Sequence, residues 1–144
     1  MRSRVSAEGE RVSAVSVLLV EDEGLVRMIV AEFLSDEGFR VTEACDGDEA
    51  ARLLDGAHGF DVLFTDVRMP GALDGLDVAL RARQQRPGLP VLIVSGYSDQ
   101  LSGRLCAFDP AAAFLGKPYR LTEIVSTLKC LAEKPACLEA RRDA

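Results

Sequence analysis

Asp66 poses the first chemical question in this sequence. It closes the apolar run Val62-Leu63-Phe64-Thr65, and the chain then passes at once into Val67-Arg68-Met69-Pro70-Gly71. A carboxylate at the end of a buried strand is costly unless something at that end uses it. Other residues with useful chemistry also stand where an apolar run stops: Glu21 and Asp22, then Ser95, then Lys117. With the first and third runs side by side, Glu21, Asp22 and Asp66 converge, and like charges at close range do not all stay ionised without a counter-cation. A hard divalent ion meets that need. Mg2+ takes a few carboxylate and carbonyl oxygens and fills its other octahedral positions with water, leaving room for a phosphoryl group. Asp66 then has the chemistry of a nucleophile toward phosphorus, while the metal, Lys117 and the Ser95 hydroxyl share the charge on the transferring oxygens.

Strands and helices in alternation must position these groups. Residues 15–20, VSVLLV, form the nearly continuous β-branched run that a parallel strand covered on both faces requires. The stripe Leu25, Val26, Ile29, Val30, Phe33 and Leu34 predicts a helix closed by Gly38. Further strands are expected over 39–44, 60–65, 91–94 and 112–115, and further helices over 48–54, 75–85 and 121–131. The 75–85 helix has Leu76, Ala79, Leu80 and Arg83 in register, and the last helix Leu121, Ile124, Val125, Leu128 and Leu131. Ser98 caps one more helix over 99–107, a weak one, because Gly103 lies inside it and only Leu101 and Leu105 repeat. Five strands alternating with five helices define an α/β domain whose mainly parallel sheet is wrapped on both sides. In such sheets the working site lies beyond the carboxyl ends of the strands, where the strand order reverses.

Composition removes several classes of function. A chain of 144 residues holds one ordinary domain. Its net charge of −6 argues against a nucleic-acid surface. The opening MRSRVSAEGERVSA lacks the apolar stretch of a signal peptide, and no run reaches bilayer-spanning length, so a cytoplasmic protein without a membrane partner is expected. Cys45, Cys106, Cys130 and Cys137 form no CxxC pair and His58 stands alone, which leaves little for a zinc site; the thiols read as buried or idle. Residues 1–14 read as a flexible leader, 15–133 as the domain and 134–144 as a tail.

Taken as a set, VLLVEDE, DVLFTDVRMPGALDG, VLIVSGY and FLGKPY resemble the motifs of the receiver domain of two-component response regulators, in the same order and over nearly the whole chain. The resemblance implies a flavodoxin-like (βα)5 fold with strand order 2-1-3-4-5 and a cis bond before Pro118. It also implies that Asp66 is phosphorylated by a sensor histidine kinase or a histidine phosphotransfer protein. Mg2+ would be bound by Asp22, Asp66 and the backbone carbonyl of Arg68, with Glu21 alongside. Ser95 stands at the family's Ser/Thr switch, Lys117 at its lysine and Phe114 at the aromatic whose rotamer follows the switch. The expected consequence is a change in the face built from the 99–107 helix, the fifth strand and the last helix, which would dock a downstream target. The domain would thus be a phospho-acceptor and not an enzyme acting on other substrates, either a monomer or a dimer linked to phosphorylation.

The sequence departs from the commonest pattern in places. The MPGALDG loop is one residue longer, and Arg68 and Tyr97 are bulky beside the path of a hydrolytic water, so slow self-dephosphorylation is expected. With no output domain after Leu131, the chain reads as a single-domain regulator serving as switch, phosphate relay or phosphate sink. The alternative is a degenerate receiver that binds partners without phosphorylation. Singly, the residues have plainer readings: Glu21, Asp22 and Glu23 as a solvated helix start, Phe114 as core. Two other phosphate sites fail on residue identity. AAAFLGKP has Ala111 and Pro118 where a phosphate loop needs Gly and Ser/Thr, and Arg68 replaces the second acid of a dehalogenase-type phosphatase.

Overall fold

Side-chain alternation along the strands decides the layers. The computed structural model describes residues 14–56, 59–96 and 112–133. Its elements are β1 (Ser16–Val20), α1 (Gly24–Asp36), β2 (Arg40–Ala44), α2 (Gly47–Asp55), β3 (Val62–Asp66), α3 (Gly75–Gln85), β4 (Val91–Ser95), β5 (Ala112–Gly116) and α4 (Leu121–Glu133). The strands form one sheet in the order β2-β1-β3-β4-β5, every neighbouring pair parallel, as the motif resemblance implied. Val17, Leu19, Val62, Phe64, Leu92 and Val94 face α1 and α4, whereas Leu18, Val20, Leu63, Val91 and Ile93 face α2 and α3. Because both faces are covered, β1, β3 and β4 read as unbroken apolar runs. Residues 1–13 of the expected leader, the helix over 99–107, the tail, and the residues His58, Tyr97, Cys106 and Cys137 lie outside the described residues.

Helix ends follow local chemistry. Gly38, at φ 99°, ends α1: its N–H donates to Ser35 O, and the Phe39 N–H reaches back to Leu34 O, both at 3.0 Å. That pairing, with buried Phe39 against Leu34, is a Schellman stop. At α2 the Asp46 side chain accepts the Glu49 N–H. At α3, Asp74 and Asp77 accept each other's backbone N–H groups in a capping box.

Some sequence expectations need correction. Leu25 and Ile29 do not reach the core; they are 65% and 49% exposed, beside Met28 at 57%. At about 100° per residue they lie about 140° and 100° round the helix from buried Val30, beyond the face that Val26, Val30, Ala31 and Leu34 present to the sheet. Leu80 likewise falls on the flank of α3, and Val78 and Ala82 are buried instead. Strand β3 starts at Val62 and not at residue 60. The Asp61 carboxylate takes the Ser16 N–H at 2.8 Å where a ladder would use a carbonyl. Asp66 itself belongs to β3, opposite Val94. Of the two readings given for the thiols, buried or idle, exposed Cys45 does not take the first.

Two close approaches lock the loop after β3. A Cβ on Gly75 would stand 1.8 Å from the Asp66 carbonyl oxygen, and one on Gly47 would stand 2.3 Å from the Leu73 carbonyl oxygen. The starts of α3 and α2 therefore press directly on the backbone that carries and follows Asp66. Gly75→Ala is expected to cost about 1–3 kcal/mol in urea unfolding, because backbone must move to admit the methyl group. Gly24→Ala, whose Cβ would meet only the end of Arg27 at 3.8 Å, is expected to stay within about 0.5 kcal/mol of the parent or to gain slightly from helix propensity.

Candidate functional site

The ladder brings the carboxylates together. Val20 lies opposite Thr65, so Glu21 and Asp66 leave β1 and β3 side by side. One oxygen from each of Glu21, Asp22 and Asp66 lies within 4.8 Å of the others. Glu21 and Asp66 are only 7% and 6% exposed, while Asp22 is open to solvent. For the buried pair at that spacing, repulsion is roughly 3 kcal/mol at an effective dielectric of about 20. That is a large fraction of the ~5–15 kcal/mol stability of a domain.

Hydrogen bonds fix the Asp66 carboxylate at both oxygens. Oδ1 accepts the Val67 N–H at 2.8 Å and Oδ2 accepts Lys117 Nζ at 2.7 Å. Lys117 comes from the turn after β5, whose bond to Pro118 is cis, and its N–H donates to Ser95 O at 2.9 Å. Burial works against the Lys117 ammonium. The Asp66 hydrogen bond and the charges of Asp66 and Glu21 outweigh it and raise its pKa. Against three carboxylates Lys117 supplies one positive charge, leaving the cluster two charges short of balance. A divalent cation would offset that excess, and the oxygen-only donor set would suit Mg2+ or Ca2+ better than a softer metal.

Glu21 shows the strain of this arrangement. Burial raises its pKa, helped by the Asp66 and Asp22 charges, while the Glu23 N–H on Oε2 at 3.0 Å opposes the rise. The solvated-helix reading therefore fails for Glu21, which is buried and caps the start of α1 from outside the helix. Tyr119 is half-buried beside the cluster, and burial pushes its phenol up.

Ser95 and Phe114 stand on β4 and β5. Ser95 is half-buried opposite Gly116, one residue beyond the Val94 that pairs with Asp66. Phe114 pairs with Ile93, so it shares a sheet face with Ser95, and it is 39% exposed, turned away from the core that its plainer reading assigned it. Arg68 is exposed and lines a cleft of about 380 Å3 with Asp22, Val67, Met69, Pro70 and Asp74. A second hollow of about 540 Å3 is lined by Glu21 together with Glu23, Val26, Lys117, Pro118 and Tyr119.

Sequence reasoning missed two kinds of supporting residue. Asp74 and Asp77 anchor the wall of the cleft, and their D-x-x-D spacing before an apolar run is a legible capping signal. Arg27 donates to the Glu21 carbonyl across the mouth of the site, a contact that needs the folded chain to be seen.

A parallel 2-1-3-4-5 sheet with an acidic cluster and a lysine at its carboxyl edge defines an α/β domain of the receiver class. The description of the response regulator receiver domain matches residues 17–129, and the chain belongs to that family. Among its relatives, the transcriptional regulatory protein TcrA of Mycobacterium tuberculosis is 35% identical over 136 residues, 90% of this chain and 53% of that protein. The sensor kinase CckA of Brucella abortus is 35% identical over 84% of this chain and 13% of its own length. The chain thus spans about half, or less, of these relatives. A response regulator receiver protein from Sinorhizobium medicae superposes with a TM-score of 0.76 at 27% identity, covering 85% of this chain and 98% of that one. A CheY-like receiver from Methanospirillum hungatei, at 23% identity and TM-score 0.74, shares the fold over 90% of this chain and 99% of its own. Among the described residues no helix is long and apolar enough to cross a membrane.

The raised pKa of Glu21 fixes the sign of a stability test. The folded state holds the proton more readily than the unfolded chain, so the stability this proton confers is present at low pH and lost as pH rises through the folded value. In chelator near neutral pH, Glu21→Gln is therefore expected to melt above wild type, with the gap closing as pH falls toward the ordinary glutamate value of 4.5. Thermal melts across that range check it.

Proposed function

We propose that this domain is a phosphorylated signalling switch whose Asp66 takes a phosphoryl group from a histidine kinase or a histidine phosphotransfer protein. The observation that carries the reading is the Asp66 carboxylate itself, 6% exposed, ion-paired with Lys117 at 2.7 Å and within 4.8 Å of two further carboxylates. A structural role leaves that concentration of charge without a purpose. Mg2+ held by Asp22, Asp66 and the Arg68 carbonyl, with Glu21 alongside, would neutralise charge on the transferring oxygens.

The chain's own groups account for the remaining work. An Asp66 oxygen forms the new bond to phosphorus as the bond to the donor's imidazole nitrogen breaks, and the departing imidazole takes its proton from solvent. The Val67 N–H stays on Oδ1. Lys117 transfers its hydrogen bond from Oδ2 to a phosphoryl oxygen, and the Ser95 hydroxyl, at the end of the adjacent strand, turns to another. Drawing Ser95 toward the phosphoryl group leaves space on the sheet face that Phe114 shares, and the exposed ring turns inward to fill it. The β5–α4 surface changes with it, which is how a target reads the state. Arg68, at the open cleft, obstructs the approach of a hydrolytic water, so the acyl phosphate is long-lived. The chain is a phospho-acceptor that promotes its own modification.

Incubation with acetyl phosphate and Mg2+, read by intact mass, tests the chemistry. Wild type is expected to gain one phosphoryl group, Asp66→Asn none, and wild type with EDTA none. Lys117→Ala is expected to slow the gain by about tenfold or more, as loss of a group that stabilises transferring charge does. No gain in wild type, combined with undiminished partner binding by Asp66→Asn, would point to the phosphorylation-independent module. Radiolabel decay over seconds would remove the claim of a long-lived phosphoryl group.

A further inference from the structure

Arg27 touches none of the reacting groups, yet it holds the peptide that aims one of them. It sits one turn into α1, with Nη1 donating to the Glu21 carbonyl oxygen at 2.8 Å and Nε donating to Glu43 Oε1, on β2, at 3.2 Å. The Glu21 N–H is taken by Ala44 O at 3.1 Å, and Glu21 Oε2 accepts the Glu23 N–H. Glu21 is thus tied to β2 through one end of its backbone and to α1 through the other. The carbonyl that Arg27 grips belongs to the peptide joining Glu21 to Asp22, so the guanidinium sets the plane from which the Asp22 side chain departs. Asp22 depends on such a fixture, because it is exposed and lies beyond the last ladder residue of β1. Two donors in a rigid fork reaching two acceptors is a task for a guanidinium and not for an ammonium.

The geometry points to Arg27 as a positioning residue for the cation site: anchored on Glu43, it holds the Glu21–Asp22 peptide so that the Asp22 carboxylate faces Asp66. This inference rests on the reading of the acidic cluster as a Mg2+ site. Charge and positioning predict opposite signs. A guanidinium beside an acidic cluster repels a cation, so by Coulomb's law alone its removal tightens Mg2+ binding and its replacement by lysine changes little. If Arg27 positions Asp22, both changes weaken binding, since partners that orient metal ligands are typically worth about 10–100-fold in affinity.

The test is a Mg2+ titration of the full chain at constant ionic strength, followed by amide NMR shifts that also report the fold. Wild type, Asp22→Asn, Arg27→Gln and Arg27→Lys are compared. Arg27→Lys keeps the charge and guards against a Gln variant that fails to fold. The expected result is a roughly tenfold weaker Kd in each folded Arg27 variant. A loss under about threefold in either, or tighter binding, overturns the inference. Failure of the underlying reading looks different: wild type shows no Mg2+ uptake that Asp22→Asn diminishes, and the inference falls with it.

Discussion

Two carboxylates, Glu21 and Asp66, are held nearly out of water at the ends of neighbouring parallel strands, and the rest of the site is a response to that confinement. The β1–β3 register leaves no freedom in the matter, because residues that follow paired positions must emerge together. One ammonium, from Lys117, bonds one oxygen of Asp66, and the Val67 N–H bonds the other. The remaining negative charge is left for a cation, which in the proposed chemistry would also offset the charge that an incoming phosphoryl group brings.

Such a site is costly to fold, and the layers beneath it meet that cost. Apolar clusters on both faces of the sheet surround β1, β3 and β4, whose side chains below the site are almost wholly buried. Natural proteins commonly keep destabilising groups where function needs them and draw on the core to tolerate them. Rigidity is delivered by close backbone contact. Gly75 lets α3 begin against the Asp66 carbonyl, and Gly47 lets α2 press on Leu73, so the cleft wall is fixed from two sides although it belongs to a loop.

The two sides of the acidic cluster differ in character. Toward Arg68 and Asp74 the opening is bounded by the capped start of α3; toward Lys117 and Tyr119 it is bounded by the cis-proline turn and the start of α1. Asp22 and Arg68 line the first, and Glu21 and the lysine line the second. Asp66 lies between them and communicates with both through its two oxygens.

Among the described residues, the sequence by itself determined the element order, the class of fold and the residues at the strand ends. Continuous apolar runs mark doubly covered strands, and polar residues that interrupt them at one end have few structural uses. Glycine at the stop of α1 and the breaks around residues 56 and 87 were equally local signals. What only the tertiary structure decided depends on distance between segments far apart in the chain. Helical periodicity showed that Leu25 and Ile29 are apolar but not that they lie beyond the arc the sheet can cover. The burial of Glu21, the span of Arg27 from α1 to the turn after β1 and to β2, and the tight fits at Gly47 and Gly75 arise from packing between elements. A pattern read along one chain cannot express them, because their energies exist only once two surfaces meet.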